Sequence, residues 1–284
     1  MKFGVSYNTG FLGSDPDQLI AVARHAEDCG FESFYVPEHI VLYPGAMLGP
    51  APIPPALPFA DPLEVLGFVA AATGRIRLGT GVLLVPYHHP VVLAKRLATI
   101  DVLSKGRMRL LTVGLGTLPG EAAAAGVDFA TRGRRANEAI DVLRLLWAGD
   151  ENGVSFDGEF FAFENLCSFP KPRDAATLPI HVGGSSGAAA RRAGQRGDGY
   201  FPGGRLTAGE RARQLEIMRA AALAAGRDPA ALEYTRWGAI DMSAADVEAR
   251  AELGVTRLVV GISAASLAVQ RDELSAFADR LGLG

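Results

Sequence analysis

Short apolar runs and longer amphipathic runs alternate along the chain. The apolar runs are rich in β-branched residues, which is typical of buried parallel strands, whereas the longer runs have the periodicity of helices. The pattern predicts strands at 2–8, 33–37, 75–85, 108–114, 178–184, 199–202, 232–240 and 256–262. It predicts helices at 15–29, 62–72, 90–104, 131–148, 186–196, 207–225, 244–253 and 266–281.

This alternation predicts an α/β fold in which every strand is followed by a helix. Eight such units favour a (β/α)8 TIM barrel, with a doubly wound parallel sheet as the alternative. A barrel of this kind accommodates all 284 residues, so we expect residues 1–284 to form a single domain.

Two stretches interrupt the alternation. Residues 43–62 are rich in proline, which predicts a loop without regular strands or helices, and such long loops commonly serve the active site. Residues 150–171 contain two short alternating runs around Asp157 and Gly158, a combination that indicates a β-hairpin inserted outside the barrel.

Composition excludes several classes of function. The net charge is −3 with 21% charged residues, so no basic surface for nucleic acid or for a membrane is expected. Cys29 and Cys167 are far apart, and the adjacent His88 and His89 lack the spacing of metal ligands, so we expect neither a disulfide framework nor a metal. The chain begins in a strand-like run without a signal peptide, which favours a cytoplasmic location.

Candidate chemistry stands where the predicted strands end, because barrel enzymes carry their sites at the carboxyl ends of the strands. Glu38 and His39 follow the second strand directly. A histidine at that position can exchange a proton near neutral pH. The alternative is a hydrogen-bonded structural histidine at a strand end.

A glycine- and serine-rich turn, "VGGSSG", precedes the predicted helix 186–196. Glycine lets a backbone approach an anion closely, and the free N–H groups of a helix start point toward it, so this turn favours a phosphate site. The alternative is a short turn capped by serine. "GLGTLPGE", at 114–121, is not a dinucleotide fingerprint, because its third glycine comes one position late and Pro119 interrupts it.

Four stretches together resemble the bacterial luciferase-like superfamily, and in particular its coenzyme F420-dependent oxidoreductase branch. They are "YVPEHI", "LGTGVLLVPYHHPVVLAKRLATIDVLSKGR", "GVDFATRGRRANEAIDVLRLLW" and "PIHVGGSSGAAARRAG". The second is the most specific, because so long a pattern has little chance of arising by accident. The resemblance extends from the first strand to about residue 202.

The resemblance implies a tricyclic redox cofactor at the carboxyl face of the barrel. It implies that His39 approaches the reactive ring with Glu38 beside it, and that Gly81 and Val82 form a bulge with a cis peptide bond. The cofactor-binding residues that it implies are Thr80, Gly81, Val82, Gly114, Gly116, Gly183, Gly184, Ser185 and Ser186. Thr117 stands where some relatives carry a catalytic acid, and the bland helix after it is expected to contribute few contacts to the substrate or cofactor.

These observations predict an oxidoreductase that transfers a hydride between F420 and a small organic substrate, with His39 as proton donor or acceptor and Glu38 tuning it or touching the cofactor. One alternative is an FMN-dependent monooxygenase on the same fold. Another is a barrel lyase or isomerase that binds a phosphorylated substrate without a redox cofactor. The absence of an acid at Thr117 also leaves open a cofactor-binding protein without catalysis. By analogy with the family, a homodimer is possible.

Overall fold

Eight parallel strands close into a barrel that helices surround, in a computed structural model that describes residues 1–204, 206–263 and 266–284. The strands are β1 Lys2–Ser6, β2 Ser33–Val36, β3 Arg77–Leu84, β4 Met108–Gly114, β5 Ile180–Gly183, β6 Gly199–Phe201, β7 Glu233–Gly238 and β8 Arg257–Gly261. Each strand pairs with its chain neighbours, and β8 pairs with β1. The predicted (β/α)8 TIM barrel is confirmed.

The helices are α1 Thr9–Leu12, α2 Pro16–Asp28, α3 Pro62–Ala72, α4 Pro90–Leu103, α5 Pro119–Ala124, α6 Arg132–Ala148, α7 Gly187–Arg196, α8 Ala208–Ala224, α9 Ala244–Glu252 and α10 Leu267–Leu281. The eight long helices match the predicted ones within a few residues. Helix α2 shows how local sequence sets a helix start. The Asp15 carboxylate accepts from the Gln18 N–H at 2.8 Å, and Pro16 occupies the first helical position. The sequence pattern missed α1 and α5, which are too short to show a period.

The barrel interior is filled by side chains from alternate strands. Tyr35, Leu110, Phe201 and Val259 form one buried layer, contributed by β2, β4, β6 and β8. Gly79 on β3 makes room for this layer, because a Cβ atom there would lie 2.8 Å from the Tyr35 ring. The barrel is therefore a packed core that supports a site above it.

The proline-rich loop departs from its prediction in one respect. Met47–Leu48 pairs in antiparallel fashion with Ala51–Pro52, so the prediction of no regular strand was wrong for these four residues. Gly49, at φ +61°, lets the chain reverse between them. We call residues 47–52 the loop hairpin.

The hairpin predicted around Asp157 is confirmed. Val154–Asp157 and Ala162–Leu166 pair with each other and lie outside the barrel sheet. The predicted bulge in β3 is confirmed as well: the register against β4 shifts between Gly81 and Leu83, and the Gly81–Val82 peptide bond is cis.

A buried charge network closes the amino end of the barrel, opposite the strand ends that carry the candidate residues. The guanidinium of the fully buried Arg257 donates to both Glu32 oxygens, at 2.9 and 3.1 Å, and to Glu233. Burial alone would raise the pKa of Glu233, but hydrogen bonds and charge from Arg257 lower it to about 2. Burial lowers the pKa of the neighbouring His181 to about 4. Because both pKa values are lower in the folded state than in the unfolded state, both groups make the fold less stable in acid than at neutral pH.

The protein should lose stability between pH 7 and pH 5 because of His181. The unfolded side chain takes up a proton below about pH 6.5, whereas the native one stays neutral down to about pH 4. This difference removes about 2 kcal/mol of unfolding free energy over that range, measurable by urea denaturation at both pH values. His181→Gln should abolish most of the loss, whereas His89→Gln, at an exposed histidine, should keep it. Equal acid losses in both variants would exclude this role.

Candidate active site

A cavity of about 420 Å³ opens at the carboxyl ends of the strands. It is lined by the predicted residues Glu38, His39, Gly81, Val82, Gly114, Gly116, Gly183, Gly184, Ser185 and Ser186. Other lining residues, which the sequence did not single out, are Asn8, Phe11, Leu48, Ile53, Leu57, Phe59 and Arg132. The fold thus brings residues from distant parts of the chain into one mouth.

Thr80 is the predicted site residue that does not line the cavity. Its side chain is fully buried, and its hydroxyl donates to the Thr112 carbonyl at 2.8 Å. The hydrogen bond joins β3 to β4 below the mouth. Thr80 therefore supports the bulge rather than facing a ligand.

Val82 forms the floor of the cavity, and glycines of two neighbouring strands leave room for it. A Cβ atom on Gly114 would lie 2.5 Å from one Val82 methyl, and a Cβ on Gly183 would lie 2.7 Å from the other. Real side chains do not come so close, so any larger residue at either position would displace Val82. These two glycines shape the floor, and their predicted contact with a cofactor stays a prediction.

His39 is paired with a carboxylate that the sequence analysis missed. Its Nδ1 lies 3.2 and 3.3 Å from the two oxygens of Glu121, a residue of α5 that is fully buried. The Ile40 N–H donates to the same carboxylate at 2.7 Å. A carboxylate accepts hydrogen bonds, so this contact assigns the imidazole hydrogen to Nδ1, and Nε2 has no hydrogen-bond partner among the described residues.

Helix α5 contributes a contact to His39, whereas the expectation that it gives few contacts to a substrate or cofactor stays a prediction. Glu121 lies four positions after Thr117 and supplies an acid beside His39, although Thr117 itself carries none. The available signal was a lone carboxylate in an alanine- and glycine-rich helix that follows a barrel strand directly.

Glu38 holds the end of β2 against the end of β3. Its carboxylate accepts from the Leu84 N–H at 2.6 Å and contacts His88 Nε2 at 2.9 Å. Its own N–H donates to the Val82 carbonyl at 3.1 Å. The imidazole of His39 thus has Glu121 as its hydrogen-bonding carboxylate, while Glu38 fixes the backbone beside it.

The turn from Gly183 to Ser186, which we call the anion turn, has the features of an anion site. Ser186 caps α7 by accepting from the Ala189 N–H, and Gly184 has a φ of +102°. The Tyr200 hydroxyl donates to the Gly184 carbonyl at 3.0 Å, and Gln214 donates to the Ser185 carbonyl. Within the described residues, the N–H groups of 184–186 have no acceptor. They are therefore available to a ligand.

Arg132 adds a positive charge to the cavity, and the sequence analysis did not single it out. Its guanidinium lies 3.5 Å above the Phe129 ring, and its buried Nε has no partner among the described residues. Arg192 on α7 donates to the Gly133 carbonyl at 3.0 Å and so ties the start of α6 to the helix that carries the anion turn. The quoted stretch "GVDFATRGRRANEAIDV" contained Arg132, but many arginines there gave no way to choose it.

Other kinds of site are not evident in the part of the chain that the structure describes. No three His, Cys, Asp or Glu side chains there group as a metal site would require. Among the same residues, no helix has the length and apolar character needed to cross a membrane.

The chain is similar to known proteins of one family. The model of a family described as luciferase-like monooxygenase matches residues 1–281. An F420-dependent glucose-6-phosphate dehydrogenase of Microbacterium testaceum is 31% identical over 71% of this chain and 56% of its own length. The 4-hydroxyprotoasukamycin monooxygenase of Streptomyces nodosus subsp. asukaensis is 34% identical over 66% of this chain and 48% of its own. The alignments thus span about half the length of these relatives.

Solved structures agree in fold at lower identity. An F420-dependent secondary alcohol dehydrogenase, in complex with an F420–acetone adduct, superposes with a TM-score of 0.80 at 18% identity. The match covers 99% of this chain and 98% of that one. A monooxygenase from Streptomyces bottropensis gives the same TM-score at 22% identity, with the same coverage.

The floor of the cavity provides a test with a matched control. Gly114→Ala should destabilise the protein by about 1–3 kcal/mol, because the new methyl group overlaps Val82. Gly67→Ala, in the interior of α3 with no atom within 4 Å of the new Cβ, should stabilise it by about 0.5–1 kcal/mol. Urea denaturation measures both. If Gly114→Ala were as stable as the wild type, the crowding around Val82 would be excluded.

Proposed function

Because this chain belongs to the luciferase-like monooxygenase family, we propose that it is an oxidoreductase that transfers a hydride between coenzyme F420 and a small organic substrate. The pairing of His39 with Glu121 at the mouth of the cavity carries the proposal. Hydride transfer to or from an alcohol or carbonyl carbon must be accompanied by a proton transfer at oxygen, and this pair can provide it. The dehydrogenase relatives named for F420 support the choice of cofactor.

Several groups that line the cavity support the choice of such a cofactor. The N–H groups of Gly184, Ser185 and Ser186 and the partly unpaired guanidinium of Arg132 would hold a phosphate. Val82 on the β3 bulge would support the ring. When bound, the deazaflavin supplies the two-electron hydride chemistry that no side chain can perform.

His39 handles the proton in either direction. In oxidation of an alcohol, Nε2 of His39 would accept the hydroxyl proton as the carbonyl group forms. In reduction, the protonated imidazole would return its proton to the substrate oxygen. In both directions the bound deazaflavin would supply the hydride chemistry. Glu121 accepts from Nδ1, which orients the ring and stabilises the imidazolium.

An FMN-dependent monooxygenase is the second candidate. The monooxygenase relative at 34% identity favours it, and the anion turn would serve an FMN phosphate equally well. The His39–Glu121 pair favours hydride transfer, because that reaction uses a positioned acid or base. The same pair removes the reason to suppose a binding protein without catalysis, which was the lack of an acid at Thr117.

His39→Ala should lower kcat by about 10²–10⁴-fold while leaving the Kd for F420 within about tenfold. The loss arises because the proton then has no acceptor. The assay follows F420 reduction with the best substrate from a panel of secondary alcohols and glucose 6-phosphate, the compounds that the relatives' names suggest. Wild-type kcat in this variant would contradict the proposal.

Glu121 acts through His39, so its variant tests positioning. Glu121→Gln should lower kcat by about tenfold or more without changing KM or the Kd for F420. Glu216→Gln, at an exposed carboxylate on α8, is the control and should leave kcat, KM and the Kd for F420 unchanged. A raised KM with unchanged kcat would show that Glu121 serves substrate binding instead.

Arg132 tests the cofactor site. Arg132→Met should weaken F420 binding about 10- to 100-fold, since it removes one charge-assisted contact to phosphate, and Arg132→Lys should weaken it less. Arg213→Met, at an exposed arginine on α8, should bind F420 normally. Fluorescence titration measures all three, and unchanged affinity in Arg132→Met would locate the phosphates elsewhere.

A further inference from the structure

The wall of the cavity on the β1–β2 side differs in chemistry from the rest of the mouth. It consists of Phe11 on α1 and of Leu48, Ile53, Leu57 and Phe59 from the proline-rich loop. We call these five side chains the apolar wall. The anion turn follows β5, which lies across the closed barrel from β1 and β2. The phosphate-binding groups and the apolar wall therefore occupy opposite sides of the mouth.

The apolar wall is held in place by contacts at both ends of the loop. The Tyr43 hydroxyl accepts from the Gly120 N–H at 3.2 Å, and its ring fills the space that a side chain at Gly120 would need. At the other end, the Ala60 N–H donates to the Thr9 hydroxyl at 3.0 Å. The Phe59 ring stands against Gly10 and makes an edge contact with the His39 ring at 4.8 Å. The wall thus begins directly beside the proposed proton-transfer residue.

Much of this wall faces solvent. Phe11 is 61% exposed and Leu48 is 53% exposed, and Ile40, Val41 and Met47 nearby are exposed as well. A contiguous apolar surface at the mouth of a cavity is costly to leave in water and commonly marks a binding site. A second cavity of about 250 Å³ adjoins the first behind Asn8 and Phe11, and its described lining carries no charge. The apolar space therefore continues past Phe11.

Charge is confined to other parts of the mouth. Among the described lining residues, the one arginine or lysine is Arg132, which we group with the anion turn. Glu38 is negative but already bound to His88 and the Leu84 N–H. A substrate phosphate or carboxylate lying against the apolar wall would lose its hydration without gaining a described partner.

From these observations we infer that the substrate is an uncharged compound with a hydrocarbon body, which lies against the apolar wall with its oxygen at His39. The inference rests on the proposed function and adds its substrate class. It separates this chain from relatives that are named for glucose 6-phosphate. The affinity of such a site should rise with hydrocarbon length, because each buried methylene group strengthens binding about three- to fourfold.

Unbranched 2-alkanones are suitable probes, because each carries one carbonyl oxygen that His39 can reach and an alkyl chain of chosen length. Calorimetric titration of the protein, with and without saturating F420, should show Kd falling from 2-butanone through 2-hexanone to 2-octanone. Each step of two methylene groups should lower Kd about tenfold. Glucose 6-phosphate should bind more weakly than 2-octanone. A flat series, or tighter binding of glucose 6-phosphate, would overturn the inference.

A pair of lysine variants locates the binding. Leu48→Lys should raise the Kd for 2-octanone at least fivefold, because it places a charge in the apolar wall. Leu253→Lys, at a similarly exposed leucine after α9, should leave Kd within twofold. Equal effects of both variants would overturn the assignment to this wall. If F420 fails to bind while the ketone series holds, the proposed function fails and the apolar site stands. F420 binding with a flat ketone series overturns the substrate class alone.

Discussion

The buried carboxylate of Glu38 is the interaction on which the mouth of the barrel depends. A carboxylate that is 5% exposed must find hydrogen-bond partners, and Glu38 finds them in the Leu84 N–H and His88. Its own N–H binds the Val82 carbonyl. One residue thus joins the end of β2 to the bulge in β3 and to the turn that follows it. His39 is the next residue, so Glu38 fixes the backbone beside it, and Glu121 on α5 binds its ring.

The walls of the cavity differ in chemistry from one side to the other. The floor is Val82, which fits because Gly114 and Gly183 have no side chains that would overlap it. The β5 side offers free N–H groups and a guanidinium, and the β1–β2 side offers aromatic and aliphatic carbon. His39 follows β2 and contacts Phe59 at the edge of the apolar side. In the function proposed above, a charged, ring-bearing cofactor and an uncharged substrate each lie against a surface of matching chemistry, with His39 as the proposed proton-transfer residue.

The sequence predicted the barrel, the inserted hairpin and the bulge at Gly81, because each depends on local pattern or on a motif that resembles a family. It also indicated His39 and the turn at Gly184. Glu121 was missed because its contact with His39 spans 82 residues and arises only when α5 folds against the end of β2. The contact of Glu38 with His88 was missed for the same reason, since His88 lies 50 residues away. Arg132 could not be distinguished from its neighbouring arginines until α6 and α7 were seen to pack together.

The most direct test of this account is a paired titration of the purified protein with F420 and with FMN, followed by fluorescence. The account predicts that F420 binds at least tenfold more tightly than FMN, with one cofactor per chain. Tighter binding of FMN would move the protein to the monooxygenase alternative, and binding of neither would contradict a redox cofactor in this cavity.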